Sequence, residues 1–162
     1  MTLVPQVCDA VSIPVIAAGG IADGRGVAAA LALGACGVQI GTRFIVAKEC
    51  NVHQAYKDRV IQARDIDSEV TGRSTGHPVR SLRNQMTRKY QALEKEGAGF
   101  EELELLTLGA LRKAVVDGDV KNGTVMAGQI AGLIKKEQTC SEIIKELMDG
   151  MSNVIEHVRG EI

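Results

Sequence analysis

The sequence predicts an α/β fold with parallel strands, on three observations: two short apolar runs without polar alternation, a segment of helical period between them, and short glycine-rich connections. Val4, Val7, Cys8 and Val11 recur at helical spacing, so Leu3 to Val11 reads as the tail of a helix. Ile13-Pro14-Val15-Ile16-Ala17-Ala18 reads as a parallel strand covered on both faces and stopped at Gly19-Gly20. Asp23 is the expected N-cap of a helix through Val27, Ala30, Leu31 and Leu33, and Gly34 supplies its left-handed stop. A second strand, Gly37-Val38-Gln39-Ile40-Gly41, follows. Right-handed crossovers join strands in this order.

Beyond residue 50 the pattern turns helical. Val52 to Ala63 reads as a helix, Arg64 to Pro78 as irregular or extended loop, and Val79 to Glu96 as a basic amphipathic helix. Gly97-Ala98-Gly99 breaks this from a helix over Glu101 to Val116, and a polar loop, 117–123, leads into Thr124 to Gln129. Thr139-x-x-Glu142 is a capping box that opens a last helix with an apolar stripe of Ile143, Leu147, Met151, Val154, Ile155 and Val158. Two strands alone do not make a stable parallel sheet, because faces and edges need cover. The imbalance predicts a fragment whose other strands are missing.

Composition narrows the function. The 162 residues hold 45% hydrophobic and 24% charged side chains, with a net charge of −1. One sizeable core is affordable, and no broad basic field attracts nucleic acid or anionic lipid. Phe44, Phe100, Tyr56 and Tyr90 are the only aromatics, too few to stack unpaired bases. Cys8, Cys36, Cys50 and Cys140 form no C-x-x-C pair and read as reduced thiols. The longest apolar stretch, Val27 to Ala35, is too short to span a bilayer. The expectation is a soluble cytoplasmic protein with neither a nucleic-acid nor a membrane partner.

The 18 glycines cluster at the predicted strand ends. Gly19-Gly20 and Gly41-Thr42 each follow the carboxyl end of a parallel strand, the end at which α/β sheets bind ligands. Glycine turns let backbone amides approach a phosphate unobstructed, and Thr42 adds a hydroxyl. Together they read as a phosphate cradle, commonly placed after strands seven and eight of a closed eight-stranded barrel. Gly24-x-Gly26-x-x-Ala29 fits the dinucleotide fingerprint by letter, but the strand has already stopped at Gly19 and no carboxylate ends the second strand.

Ile13-Pro14-Val15-Ile16-Ala17-Ala18-Gly19-Gly20-Ile21-Ala22-Asp23-Gly24-Arg25-Gly26 and Gly37-Val38-Gln39-Ile40-Gly41-Thr42-Arg43-Phe44 resemble the flavin-binding half of the nitronate monooxygenase family. Gly76-His77-Pro78-Val79-Arg80-Ser81-Leu82-Arg83-Asn84-Gln85 and Val125-Met126-Ala127-Gly128-Gln129-Ile130-Ala131-Gly132-Leu133-Ile134 are most similar to its enoyl-acyl carrier protein reductase II branch. The resemblance implies the C-terminal part of a TIM (β/α)8 barrel: its last two strands over 1–50, a mostly helical insert over 51–123, and a segment returning to the barrel over 124–162 with the C-terminal helix. It implies FMN, with the phosphate against Gly19, Gly20, Gly41 and Thr42, and with Gln39 and Ile40 at the same strand end. It further implies NADH or NADPH as co-substrate, a monovalent cation as an optional ligand, and an enoyl substrate borne by acyl carrier protein. A homodimer is compatible with it.

The family's catalytic His and earlier strands lie upstream of the equivalent of Met1. The resemblance therefore implies a missing N-terminal half of the barrel and little turnover from this chain alone. Nitronate oxidation is the alternative activity, and an inactive phosphate- or FMN-binding remnant is a third reading. Met126 and Gln129 are expected to line the flavin or substrate, through an adaptable thioether and an amide, with packing at a helix start as the plainer explanation. His53 and His157 read as surface residues and His77 as structural. Lys57, Arg59, Arg64, Arg80, Arg83, Arg88 and Lys89 read as a solvated basic helix face or, alternatively, a dock for an acidic carrier protein.

Overall fold

In the computed structural model, which describes residues 2–161, the chain divides into two units, Met1–Glu49 with Gln138–Ile162, and Cys50–Glu137. The first unit opens with helix α1, Leu3–Ala10, followed by strand β1, Ile16–Ala18, helix α2, Gly24–Ala32, and strand β2, Gly37–Gln39. The strands pair in parallel with Ile16 opposite Gly37, Ala17 opposite Val38 and Ala18 opposite Gln39. Asp23 caps α2 as expected, accepting the Arg25 N–H at 3.0 Å, while its carbonyl accepts from Gly26 and Val27. Gly34 takes the left-handed φ of +99° that a tight exit from a helix requires. The expectation that the first strand is covered on both faces fails within the described chain: Ala17 is buried but Ile16 is 62% exposed.

A single turn, α3, Thr42–Ile45, follows β2. The chain returns to this unit as α8, Cys140–Gly160, opened by the predicted capping box, with the Thr139 N–H donating to Glu142 at 2.7 Å and the Glu142 N–H donating to Thr139 Oγ1 at 3.2 Å. Its apolar stripe is only half used: Ile143 and Leu147 are buried, whereas Ile155 and Val158 are exposed. Length explains this. Nine residues of α2 extend about 14 Å, against about 32 Å for the 21 residues of α8, so α2 covers only part of its partner.

The second unit contains α4, Gln54–Ile61, a hairpin of β3, Ser68–Thr71, and β4, Val79–Leu82, then α5, Gln85–Glu96, α6, Phe100–Thr107, and α7, Ala110–Val115. Three sequence expectations are corrected here. The 64–78 loop contains β3, and the basic helix expected from Val79 starts only at Gln85, because Val79–Leu82 pairs antiparallel with Ser68–Thr71. Asn84 then starts α5 by exchanging hydrogen bonds with Thr87, both at 3.0 Å. The helix expected over 101–116 is broken at Gly109, whose φ of +72° ends α6 and restarts the chain as α7.

Met86, Tyr90 and Leu103 form a core cluster of this unit. The segment 124–137 is also bonded into it: Leu82 N–H donates to Val125 at 2.9 Å, Thr124 N–H to Ala110 at 2.9 Å, and the Tyr56 hydroxyl to the Met126 carbonyl at 2.7 Å. The boundary between the units therefore lies at Gln138, where the sequence reading returned the chain at Thr124. Among the described residues no helix is long and apolar enough to cross a membrane.

Candidate functional site

The parallel register sets Ala18 beside Gln39, so the turns that leave β1 and β2 emerge side by side. Gly19 and Gly20 are consecutive left-handed residues, φ +89° and +75°, a backbone path that a Cβ would strain. A Cβ added at Gly19, Gly20, Gly37 or Gly41 would meet no atom within 4 Å. Packing within this chain thus does not require these glycines; Gly19 and Gly20 are required by the shape of the turn, which leaves backbone bare toward open space. Gly41 precedes the first turn of α3, which Thr42 begins. Gln39 is exposed and Ile40 half-buried at the same strand end. The six residues singled out from sequence are therefore gathered at one end of the β1–β2 pair. That arrangement suits a small anion, met by amides rather than by a charged side chain.

Arg43 and Glu49 support this end of the unit, and sequence reading missed both. Arg43 is buried, and its guanidinium donates to the Gln138 side-chain carbonyl and to Glu146 at 3.4 Å. Glu49 accepts the Cys140 N–H at 2.9 Å, which holds its carboxyl below the usual carboxylate range. Lys48 N–H donates to Gln138 at 2.9 Å, and Ala47 bridges to Gln138. These bonds tie the chain leaving α3 to the start of α8. They span about 90 residues of sequence, so no local pattern announces them.

Gly24 and Gly26 have a packing explanation in place of the nucleotide fingerprint. A Cβ on Gly24 would lie 2.2 Å from Met151 N and 2.3 Å from the Gly150 carbonyl carbon, because α2 and α8 cross with their backbones in contact. A Cβ on Gly26 would lie 3.2 Å from Ile21 Cγ2.

Met126 and Gln129 lie in the second unit. Met126 lines a cavity of about 460 Å³ together with Thr71, Tyr90, Phe100, Leu103 and Thr124. Gln129 starts a 3₁₀ turn, Gln129–Leu133, is exposed and does not line that cavity. Tyr56 holds the Met126 carbonyl, and burial pushes its phenol up to about 12. His77 sits exposed at the cavity rim, its ring 5.8 Å from that of Phe100. His53 caps α4 by accepting the Ala55 N–H on Nδ1 at 3.1 Å, and His157 is exposed on α8.

The basic residues do not form one helix face. Lys57 is buried against Glu137 at 2.9 Å, Arg59 and Arg64 pair with Asp67, and Arg83 pairs with Glu69 at 2.9 Å. Arg80 lies on β4 and donates to Ser68 at 3.1 Å. Periodicity misled because the helix was started six residues too early, with two arginines counted into it that belong to a strand and its turn.

Comparison with known proteins adds independent findings. A family model described as nitronate monooxygenase matches residues 1–150. A probable nitronate monooxygenase of Bacillus subtilis strain 168 is 34% identical over 147 residues, which are 91% of this chain and 42% of that protein. The structure of FabK from Thermotoga maritima superposes with a TM-score of 0.95 at 46% identity, over 99% of this chain and 51% of that one. A nitroalkane oxidase from Streptomyces ansochromogenes gives a TM-score of 0.76 at 30% identity, over 97% of this chain and 44% of that one. The chain spans about half the length of these relatives.

Proposed function

The chain belongs to the nitronate monooxygenase family, and from that premise we propose that it serves an FMN-dependent oxidoreductase in which β1 and β2 are the last two strands of a (β/α)8 barrel. The observation that carries the reading is the pair of glycine turns side by side at the carboxyl ends of adjacent parallel strands, with open space where side chains would stand. The residues present fit a flavin phosphate. Gly19, Gly20, Gly41 and Thr42 would hold it, and Gln39 and Ile40 would lie against the adjoining part of the cofactor. When bound, FMN supplies the hydride chemistry. This chain binds and orients: Arg43 and Glu49 fix the turn after β2 to α8, so that the cradle keeps one shape.

The leading activity is reduction of an enoyl thioester carried by acyl carrier protein, with NADH or NADPH as reductant and a monovalent cation as an optional further ligand. Its support is the similarity of the Val125–Ile134 stretch to the reductase branch. Oxidation of an alkyl nitronate is the second reading, favoured by the names of curated relatives such as the Bacillus subtilis protein.

Titration of the purified protein with FMN and with riboflavin tests the cradle. FMN is expected to bind at least about tenfold tighter, a difference of about 1.4 kcal/mol, because only FMN carries the phosphate; equal affinities refute the cradle. Substrate assays separate the two activities. NADH consumption that depends on an enoyl thioester supports the first, and oxygen uptake that depends on a nitronate without NADH supports the second.

A further inference from the structure

The cavity of the second unit has one fixed lip and one hinged lip. The fixed lip is the turn between β3 and β4, which brings Gly72, Thr75 and His77 into the lining. Its Gly72 carbonyl accepts both the His77 N–H and the Thr75 hydroxyl at 3.0 Å, and the Ser74 hydroxyl donates to Glu94 of α5 at 2.6 Å. A Cβ on Gly72 would stand 2.3 Å from the His77 carbonyl oxygen, so the turn is packed as well as bonded.

The opposite lip is α6. Phe100, Leu103, Glu104 and Thr107 recur at i, i+3, i+4 and i+7, and this one helix face lines the cavity. Leu103 alone is buried on α6, seated against Met86 and Tyr90, whereas Leu105 stands exposed. Glycines flank the helix at both ends. Gly97 and Gly109 are left-handed, φ +82° and +72°, and Gly99 is the residue from which α6 starts without a side-chain cap. A Cβ added at any of the three would meet nothing within 4 Å. Gly97 and Gly109 are required by the shape of their turns. Gly99 is required by neither shape nor packing, because its φ of −72° and ψ of 167° suit any residue. What a glycine supplies there is freedom of rotation.

The mouth between the lips is apolar and wet. Phe100 is 49% exposed, Leu111 42% and Met126 38%, although all three line the cavity. Rotation of α6 toward the turn would cover them, and covering apolar surface is favourable. The His77 and Phe100 rings already meet across the opening, tilted and 5.8 Å apart.

We propose that α6 is a lid: it pivots on Leu103, between Gly97–Gly99 and Gly109, and closes the cavity against the β3–β4 turn, with His77 and Phe100 as its latch. Closure of this kind excludes water from a site and runs on microsecond to millisecond times. The lid is a property of the second unit and is independent of what the cradle binds.

Methyl relaxation-dispersion NMR on the full 162-residue chain tests it. Leu105 and Leu106 on the lid are expected to show microsecond-to-millisecond exchange, and Leu82, buried on β4 beside the fixed lip, none. Gly99→Ala should slow the exchange of the lid by about two- to fivefold, the worth of the lost backbone freedom, without lowering the melting temperature. Phe100→Ala removes the latch and should shift the populations by about two- to tenfold toward the open lid. Exchange absent from α6, exchange of equal size at Leu82, a rate unchanged by Gly99→Ala or populations unchanged by Phe100→Ala would overturn the proposal. So would a Gly99→Ala protein that melts lower than the parent, since the glycine would then serve packing.

Discussion

Replacing Gly24 by Ala tests the contact that holds the first unit together. The new Cβ would stand 2.2 Å from Met151 N, 2.3 Å from the Gly150 carbonyl carbon and 2.6 Å from Gly150 Cα. Attractive contact between heavy atoms needs about 3.5–4.0 Å, so α8 must retreat by about 1 Å or more. Every obstructing atom is backbone of a 21-residue helix, so no side chain can rotate away. Overpacking of this kind costs about 1–3 kcal/mol, and the rigid obstacle argues for about 3. Alanine at the first helical position returns at most about 1 kcal/mol of propensity. The net loss is about 2 kcal/mol, a fall in Tm of about 4–8 °C for a chain of this size. Differential scanning calorimetry reads it, with Gly37→Ala as control, because Gly37 has ordinary φ and no neighbour within 4 Å of its missing Cβ. A Gly24→Ala protein that melts within about 1 °C of the parent would refute the packing explanation. Weakened nucleotide binding at unchanged stability would return the fingerprint reading.

The remaining predictions follow from single groups. Tyr56→Phe removes the 2.7 Å bond from the buried phenol to the Met126 carbonyl, so urea denaturation should show a loss of about 0.5–1.5 kcal/mol; a loss under about 0.5 would mean that water replaces the phenol. Asp67 is held below the ordinary aspartate value, first by the Arg64 backbone N–H at 3.1 Å and then by the Arg64 and Arg59 side chains. A depressed pKa gives stability that is full above the unfolded value of about 3.9 and lost as pH falls through the folded value. The stability gap between the parent and Asp67→Asn should therefore shrink from about pH 6 to about pH 3, and a constant gap would exclude the ionic origin. Gly20→Ala forces a side chain onto a φ of +75° at a cost of about 1–2 kcal/mol. It should erase the preference for FMN over riboflavin, and an unchanged preference would move the phosphate elsewhere.

Local chemistry was readable along the chain, and long-range pairing was not. Asp23 before an apolar helix, Gly34 after it, and Thr139 three residues before Glu142 declare helix ends because a cap is satisfied within a few residues. The two apolar runs declared parallel strands, and the glycines after them declared the turns, since a left-handed backbone favours glycine wherever it occurs. The Val79–Leu82 segment shows the limit. Its pattern was compatible with the start of a basic helix, and only pairing with Ser68–Thr71 made it a strand. The reasons for Gly24, Arg43 and Glu49 depend on residues about 90 or more positions away. The cavity of the second unit depends on which side chains surround a space. Backbone conformation is fixed by neighbours in sequence, so the chain alone determined caps, turns and the glycines at the strand ends. Burial and partnership are fixed by neighbours in space, so only the tertiary structure decided which strands paired, where the helices crossed and which polar groups were buried.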